Sequence, residues 1–312
     1  MSRGPARRPK KGDARSRRRL MTAYGALVTL GAALVLVGLI ALFVYLGPGP
    51  RAAHRLKAGE YAFASGASLH AVISAIAAGR VVRHFITIPE GVTSEVVMET
   101  LMRADFLTGV VAAPAEGSVL PETYEVRRGD DRSAVLRRMI DARDKELAAL
   151  WAARKAGLPY RMPEDAVILA SIVEKETAKP DERPRIAAIF INRLKAGMRL
   201  ESDPTTVYGL TGGRPLGHGL RVSELQSQTP YNTYVIPGLP PTPIANPGRA
   251  SLAAALDPLN TNELYFVADG TGGHVFASTL ADHQQNVVKW RAIEARRNCQ
   301  AAALAAGKPA AC

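Results

Sequence analysis

The sequence predicts an α+β protein: one N-terminal transmembrane helix, a small α+β module, and a helix-rich domain that closes with a β-hairpin. Three observations predict it. Residues 21–46 form an uncharged, largely apolar run. Residues 60–104 hold two copies of a short strand-turn-helix pattern. From about Ser133 onward apolar residues recur at helical spacing, until the turn Asp269-Gly270-Thr271-Gly272-Gly273 separates two apolar stretches.

With 312 residues, 47% hydrophobic and 22% charged, the chain buries a full core and is not a disordered polymer. Its net charge of +12 is unevenly spread: nine Lys/Arg against Asp13 alone place +8 of it in residues 1–20. The remainder is mildly basic and lacks a basic-aromatic groove pattern, which argues against nucleic acid as a partner. Residues 21–46 carry no charge, and 26 residues at about 1.5 Å each exceed a hydrocarbon core of about 30 Å. The run is longer than the roughly 7–15 apolar residues of a cleavable signal, and no small-x-small cleavage pattern follows. It reads as an uncleaved anchor. The basic flank, residues 1–20, holds the N-terminus in the cytoplasm, so everything after Pro50 is expected outside the cytoplasmic (inner) membrane of a single-pass protein.

Residues 51–110 read as the small module. Its first copy runs from Tyr61 to Gly79 and its second from His84 to Met102, with Ser68 and Thr93 placed as helix N-caps. Residues 118–298 read as the helix-rich domain. Helices are expected from about Ser133 to Lys155, from Pro163 to near Pro180 and over about Pro184–Ala196. Met198–Leu210 and Thr229–Gly248 are rich in Tyr, Asn, Thr, Pro and Gly and read as long, stiff loops. Strands over Leu264–Ala268 and His274–Ser278 flank the Asp-Gly turn, and a helix from about Leu280 to Arg297 closes the domain. Residues 299–312 form an Ala-rich flexible tail. Cys299 and Cys312 lie in it without metal-ligand spacing, so their pairing stays open and they receive no function.

One residue stands out. In Leu-Ala-Ser-Ile-Val-Glu-Lys-Glu-Thr, residues 169–177, the positions Leu169, Ile172, Val173 and Glu176 fall at roughly 0°, −60°, 40° and −20° around a helix axis. Glu176 therefore occupies the middle of an apolar stripe, and Glu174 points nearly the opposite way. A carboxyl there loses hydration and keeps its proton near neutral pH, as a general acid must. A last-turn Glu that is solvated, or paired with an Arg, is the competing reading, and the helix alone leaves both open. No histidine pair has zinc-protease spacing, and no serine sits in a nucleophile elbow.

Four ordered blocks carry a resemblance: residues 169–177, residues 188–209 (AIFINRLKAGMRLESDPTTVYG), residues 229–248 (TPYNTYVIPGLPPTPIANPG) and residues 265–283 (YFVADGTGGHVFASTLADH). Together they closely resemble the endolytic murein lytic transglycosylases of the MltG/YceG-like family, from about Lys57 to about Trp290. The resemblance implies a membrane anchor, a LysM-like module at residues 51–110 and a lytic transglycosylase domain at residues 118–298. It implies cleavage of the β-1,4 bond between N-acetylmuramic acid and N-acetylglucosamine in nascent strands, leaving 1,6-anhydro ends and ending strand elongation. Glu176 is then the catalytic acid/base. The substrate-binding set is Thr177, Glu201, Ser202, Asp203, Thr205, Tyr208, Tyr231, Asn232, Thr233, Tyr234 and His274, with Tyr231, Asn232 and Thr233 holding N-acetyl and hydroxyl groups. No metal or cofactor is required, because the muramyl 6-hydroxyl replaces water. The implied partners are peptidoglycan strands and the lipid bilayer, with peptidoglycan synthases as further candidates.

Two departures from the family pattern matter. Glu201 stands where a Gln is usual, and its charge is expected to raise the pKa of Glu176 or to serve as the second carboxylate of a muramidase-type hydrolase. The link between anchor and module is also short. Two alternatives stay open: that hydrolase, and a non-catalytic glycan-binding scaffold of the cell-wall machinery.

Overall fold

The computed structural model describes residues 59–305. The predicted anchor at residues 21–46, the basic tail before it and Cys312 lie outside the described residues. Among the described residues no helix is long and apolar enough to cross a membrane. The chain divides into two compact units, one ending at Val82 and the other starting at Arg83.

Among the described residues of the first unit the regular element is α1 (Leu69–Ala77). The Ser68 hydroxyl accepts from the Ala71 amide at 3.2 Å, as its N-cap position predicts. The strand expected at the start of this copy is not formed: residues 61–64 join no ladder, and the amide of Val82 bonds the Glu60 carbonyl at 2.7 Å. No residue of α1 is buried. The two copies are thus alike in their helices but not in their strands.

The second unit begins with β1 (His84–Thr87), which pairs antiparallel with β2 (Thr123–Val126) in the register His84 to Val126. Between them lies α2 (Ser94–Arg103). Thr93 sits at its N-cap without a side-chain bond, and the Glu116 carboxylate instead accepts from the Ser94 amide, a first-turn donor with no partner inside the helix, at 2.9 Å. The C-terminal carbonyls of α2 meet the buried Arg132 guanidinium, which donates to Leu101 and Ala104 at 2.7 Å each. A cation at that end complements the helix dipole. Arg132 opens α3 (Arg132–Ala152), capped by Asp131, which accepts from the amides of Ser133 and Ala134. Ile86, Val97, Leu101, Val126, Val135 and Met139 close a small core around this sheet.

The larger core surrounds α4 (Pro163–Glu176) and α5 (Arg183–Lys195). Eight consecutive residues of α4, Ala166 to Val173, are buried, so this helix is enclosed on every side and its apolar surface is wider than one stripe. Its start is fixed by Pro163 in the first turn and by Asp165, which accepts from the Arg161 amide at 2.7 Å. The stretch Met198–Leu210, expected as loop, contains α6 (Asp203–Thr211), ended by Gly212 at φ 66°. Intrinsic propensity misses it because what holds this helix is tertiary: its buried Thr205 and Thr206 hydroxyls bond the neighbouring loop at Thr233 and Asn232. A single turn, α7 (Val222–Leu225), follows. Residues 229–248 form the long irregular loop expected, and α8 (Arg249–Leu256) returns the chain to the core.

The predicted hairpin is present as β3 (Tyr265–Ala268) and β4 (His274–Ala277), paired antiparallel. Asp269 organises its turn by accepting from the amides of Thr271 and Gly273. Phe266 on β3 meets Phe190 on α5 edge-to-face at 5.9 Å. The final helix α9 (Leu280–Ala305) runs eight residues beyond its expected end. Phe190 is fully buried between α5 and this hairpin, so Phe190→Ala should destabilise the chain by about 3–5 kcal/mol. A denaturant-unfolding midpoint unchanged by the substitution would contradict this packing.

Candidate active site

Glu176 is the last residue of α4, half-buried, with the chain turning extended at Thr177. The Ser202 hydroxyl donates to its Oε1 at 2.5 Å, and among the described residues Oε2 has no hydrogen-bond partner. Burial, first of all, pushes the carboxyl up to about 7; the Ser202 bond and the Arg193 charge pull it down, and Asp203 pushes it further up. The C-terminal end of a helix carries partial negative charge, which also disfavours a carboxylate there. The general-acid reading of Glu176 therefore has the electrostatics it needs.

Ser202 is aimed by an unusual backbone. Glu201 sits in the left-handed region at φ 52°, the one non-glycine residue there among the described residues. Thr233 fixes the turn from the opposite side: its carbonyl accepts from the Glu201 amide at 3.2 Å and its hydroxyl from the Ser202 amide at 2.9 Å. Glu201 itself is exposed and lies 3.6 Å from the buried Arg193 guanidinium. It is not among the charges acting on Glu176; Asp203 is, so the expected effect belongs to the neighbouring residue. Arg193 is otherwise occupied by the carbonyls of Leu200 and Leu264, at 2.7 Å each.

The other expected site residues divide into two groups. Asp203 and Tyr234 lie at the site, joined by a hydrogen bond from the phenol to Oδ1 at 2.7 Å. Burial and this carboxylate hold the Tyr234 phenol far above its ordinary pKa, so it stays a neutral donor. Tyr208 and Tyr231 meet edge-to-face at 4.8 Å, their hydroxyls bonded to Glu116 and Thr242. The second group is internal. Asn232 is 0% exposed, and its amide donates to the carbonyls of Leu225 and Ser227 while its oxygen accepts from Thr206 and the Tyr234 amide. Thr233 and Thr205 are fully buried and share a hydrogen bond. The sequence points to Asn232 and Thr233 as sugar ligands; in the structure both are fully buried and bonded within the protein instead. They hold the loop that aims Ser202, because every polar atom of the Asn232 side chain is already satisfied.

Thr177 and His274 are linked through a residue the sequence reading missed. Glu182 accepts from the Thr177 hydroxyl at 3.2 Å, shares a 2.7 Å hydrogen bond with His274 Nδ1, and accepts from the His274 amide at 3.0 Å. Burial works against this carboxylate, yet the His274 hydrogen bonds hold it below its usual range. The arrangement clips the β3–β4 hairpin to the end of α4. Nothing in the spacing of Glu182 and His274, 92 residues apart, foretells it.

Glu174 shows the second fate of an acid on α4. Its side chain is 5% exposed, paired with Arg183 at 3.4 Å and accepting from the Gly248 amide at 2.9 Å. A Cβ at Gly248 would fall 1.9 Å from Glu90 Oε1, so any side chain there would displace Glu90. Asn246 binds the region from beneath: its Oδ1 accepts from the Val119 amide at 3.0 Å, and its Nδ2 donates to the Val92 carbonyl and to Glu116.

Such a site defines a class: a protein presenting a half-buried carboxyl with a raised pKa among neutral hydroxyl and tyrosine groups. Residues 29–289 match the YceG-like family, and the chain belongs to it. The chain is 36% identical over 181 residues to the endolytic murein transglycosylase of Bacillus subtilis, an alignment covering 57% of this chain and 48% of that protein. It is 32% identical over 180 residues to the endolytic murein transglycosylase of Streptococcus pneumoniae, covering 56% and 32% respectively. The chain thus spans less than half the length of these relatives. The crystal structure of a YceG-like protein from Listeria monocytogenes is similar with a TM-score of 0.54 and 28% identity, covering 74% of this chain and 85% of that one.

Two outcomes follow for Glu176. Carboxyl titration by NMR should place it near 7; Asp203→Asn lowers that value, and Ser202→Ala raises it. Because the folded-state pKa exceeds the unfolded one, the folded chain binds more protons between about pH 4.5 and 7, so stability falls as pH rises through that window. Glu176→Gln removes this loss and should be more stable than wild type at pH 8 by on the order of 3 kcal/mol, with little difference at pH 4. Equal pH dependence of the two unfolding curves would rule out a raised pKa.

Proposed function

We propose that this protein is an endolytic peptidoglycan lytic transglycosylase, a lyase that cuts the bond between N-acetylmuramic acid and N-acetylglucosamine in nascent strands and so ends their elongation. The observation that carries the reading is Glu176: a carboxyl pushed up to about 7 with Oε2 unclaimed by the protein. The names of the two curated relatives support it.

Protonated Glu176 donates its proton to the glycosidic oxygen as the bond to the anomeric carbon breaks. The resulting carboxylate takes the proton of the muramyl 6-hydroxyl as that oxygen bonds to the anomeric carbon, which restores the acid. Atoms balance without water, so no second carboxylate is needed. Ser202 holds Oε1 throughout, and Arg193 and Ser202 temper the cost of the transient charge. The acidic neighbours in the motif are engaged elsewhere, Asp203 by Tyr234 and Glu201 by Arg193, which disfavours a hydrolase that uses Glu201. The half-buried rings of Tyr231, Tyr234 and Tyr208 offer stacking surface to the sugars, while the phenol protons of Tyr208 and Tyr234 are already given to Glu116 and Asp203.

The remaining parts of the reading concern placement. Residues 21–46 anchor the chain in the inner membrane with the N-terminus in the cytoplasm and the catalytic domain outside. Residues 51–110 act as a LysM-like module, and peptidoglycan synthases are partner candidates beside the nascent strand.

Full-length protein incubated with uncrosslinked strands should release anhydromuramyl ends by mass spectrometry, and Glu176→Gln should slow release by about 10²–10⁴-fold. Products heavier by one water, or an undiminished variant, would reject the mechanism. Because the acid form is required, turnover should fall as pH rises through about 7, and Asp203→Asn should move that limb to lower pH. A topology reporter fused after the chain's C-terminus should be active only outside the cytoplasm.

A further inference from the structure

A cleft of about 410 Å³ opens beside the acid and shares Asp203 with it. Its walls include Lys175, Val207, Tyr208, Arg214 and Pro215. Lys175 neighbours Glu176 at the end of α4, and about 100° of helical rotation directs it away from the acid toward Gly91. Three cationic or potentially cationic groups line the cleft, and they differ in their partners. Arg214 is paired with Glu95, and the ring of His218 lies 3.5 Å from Glu224. Among the described residues the Lys175 ammonium meets no carboxylate; its one hydrogen bond goes to the Gly91 carbonyl at 3.2 Å. An ammonium with two donors unused, on an otherwise mostly apolar wall that includes Asp203, the charge acting on Glu176, suits a short carboxylate-bearing ligand with small apolar side chains.

On the reading of the site as a transglycosylase, the glycan strand itself carries such a group: the short peptide on the lactyl ether of each muramyl residue. We propose that this cleft is the subsite for that peptide stem, with Lys175 taking a stem carboxylate and Val207, Pro215 and the Tyr208 ring packing its aliphatic part. Gly91 and Gly213 also line the cleft, and a Cβ on Gly213 would fall 2.4 Å from Thr93 Cγ2, so the backbone there stands tight against its neighbour. The site then reads two features of one substrate: the bond to be cut at Glu176 and the stem at Lys175.

The test compares full-length wild type, Lys175→Ala and Lys175→Arg on two substrates: strands bearing stems, and the same strands after an amidase has removed them. The expected result is a loss of about tenfold in kcat/KM for Lys175→Ala on stem-bearing strands, the value of one charge-assisted contact. Activity on denuded strands should be unchanged, and Lys175→Arg should restore most of the loss. Equal losses on both substrates, or none on either, would overturn the subsite. Calorimetric binding of a soluble disaccharide-peptide against the peptide-free disaccharide gives a second readout without turnover. Lys175→Ala should weaken only the former, and a variant that binds both as wild type does would overturn the proposal. Wild type that cleaves neither polymer would reject the transglycosylase reading, while the binding comparison still judges the cleft.

Discussion

The hydrogen bond from Ser202 to Glu176 is the contact on which the rest of the site depends. It joins the end of an enclosed helix to a turn held in a left-handed conformation, and neither half is stable in that form alone. The helix needs its apolar surround, Ala166 to Val173, to keep the carboxyl poorly hydrated. The turn at Glu201 is unfavourable for a residue with a Cβ and persists because Thr233 binds the two adjacent amides. Behind Thr233 stand Thr205, Thr206 and Asn232, all buried and all satisfied. The polar residues of the motif thus serve the acid by fixing the geometry of one hydroxyl.

Two carboxyl groups two residues apart on α4 meet opposite electrostatic conditions. Glu174 is largely enclosed too, but it has a guanidinium and a backbone amide for company. Glu176 has one hydroxyl and a nearby like charge. The two differ in the number of donors that face them. The Glu174 pair ties α4 to Arg183 and Gly248 and keeps the helix end in place.

Much of this was legible in the sequence. The helical period placed Glu176 on an apolar face, Pro163 with Asp165 marked the start of α4, and the Asp-Gly turn marked the hairpin. The residues of the two long segments also fall at the site. What escaped has a common cause. The α6 helix is made of residues with weak helical preference and is held by hydroxyl bonds to a distant loop. Asn232 and Thr233 looked like ligand groups because sequence shows a polar side chain but not whether its bonds are already spent. Glu182 carried no signal, since its partner His274 lies on another element. The influence credited to Glu201 belongs to Asp203, because Arg193 reaches the former.

Asn246 joins residues 92, 116 and 119 to a loop that follows them by more than a hundred positions. Closing such distant contacts is slow, because the entropy of a long loop is lost before the contacts form. During synthesis α4 can coil as soon as it emerges, yet Ser202, which orients its last carboxyl, follows 26 residues later, and Thr233, which holds Ser202, 31 residues after that. Until then Glu176 is an ordinary solvated side chain. The acid is therefore a late product of folding, and a growing chain carries no active form of it before the fold around it is complete.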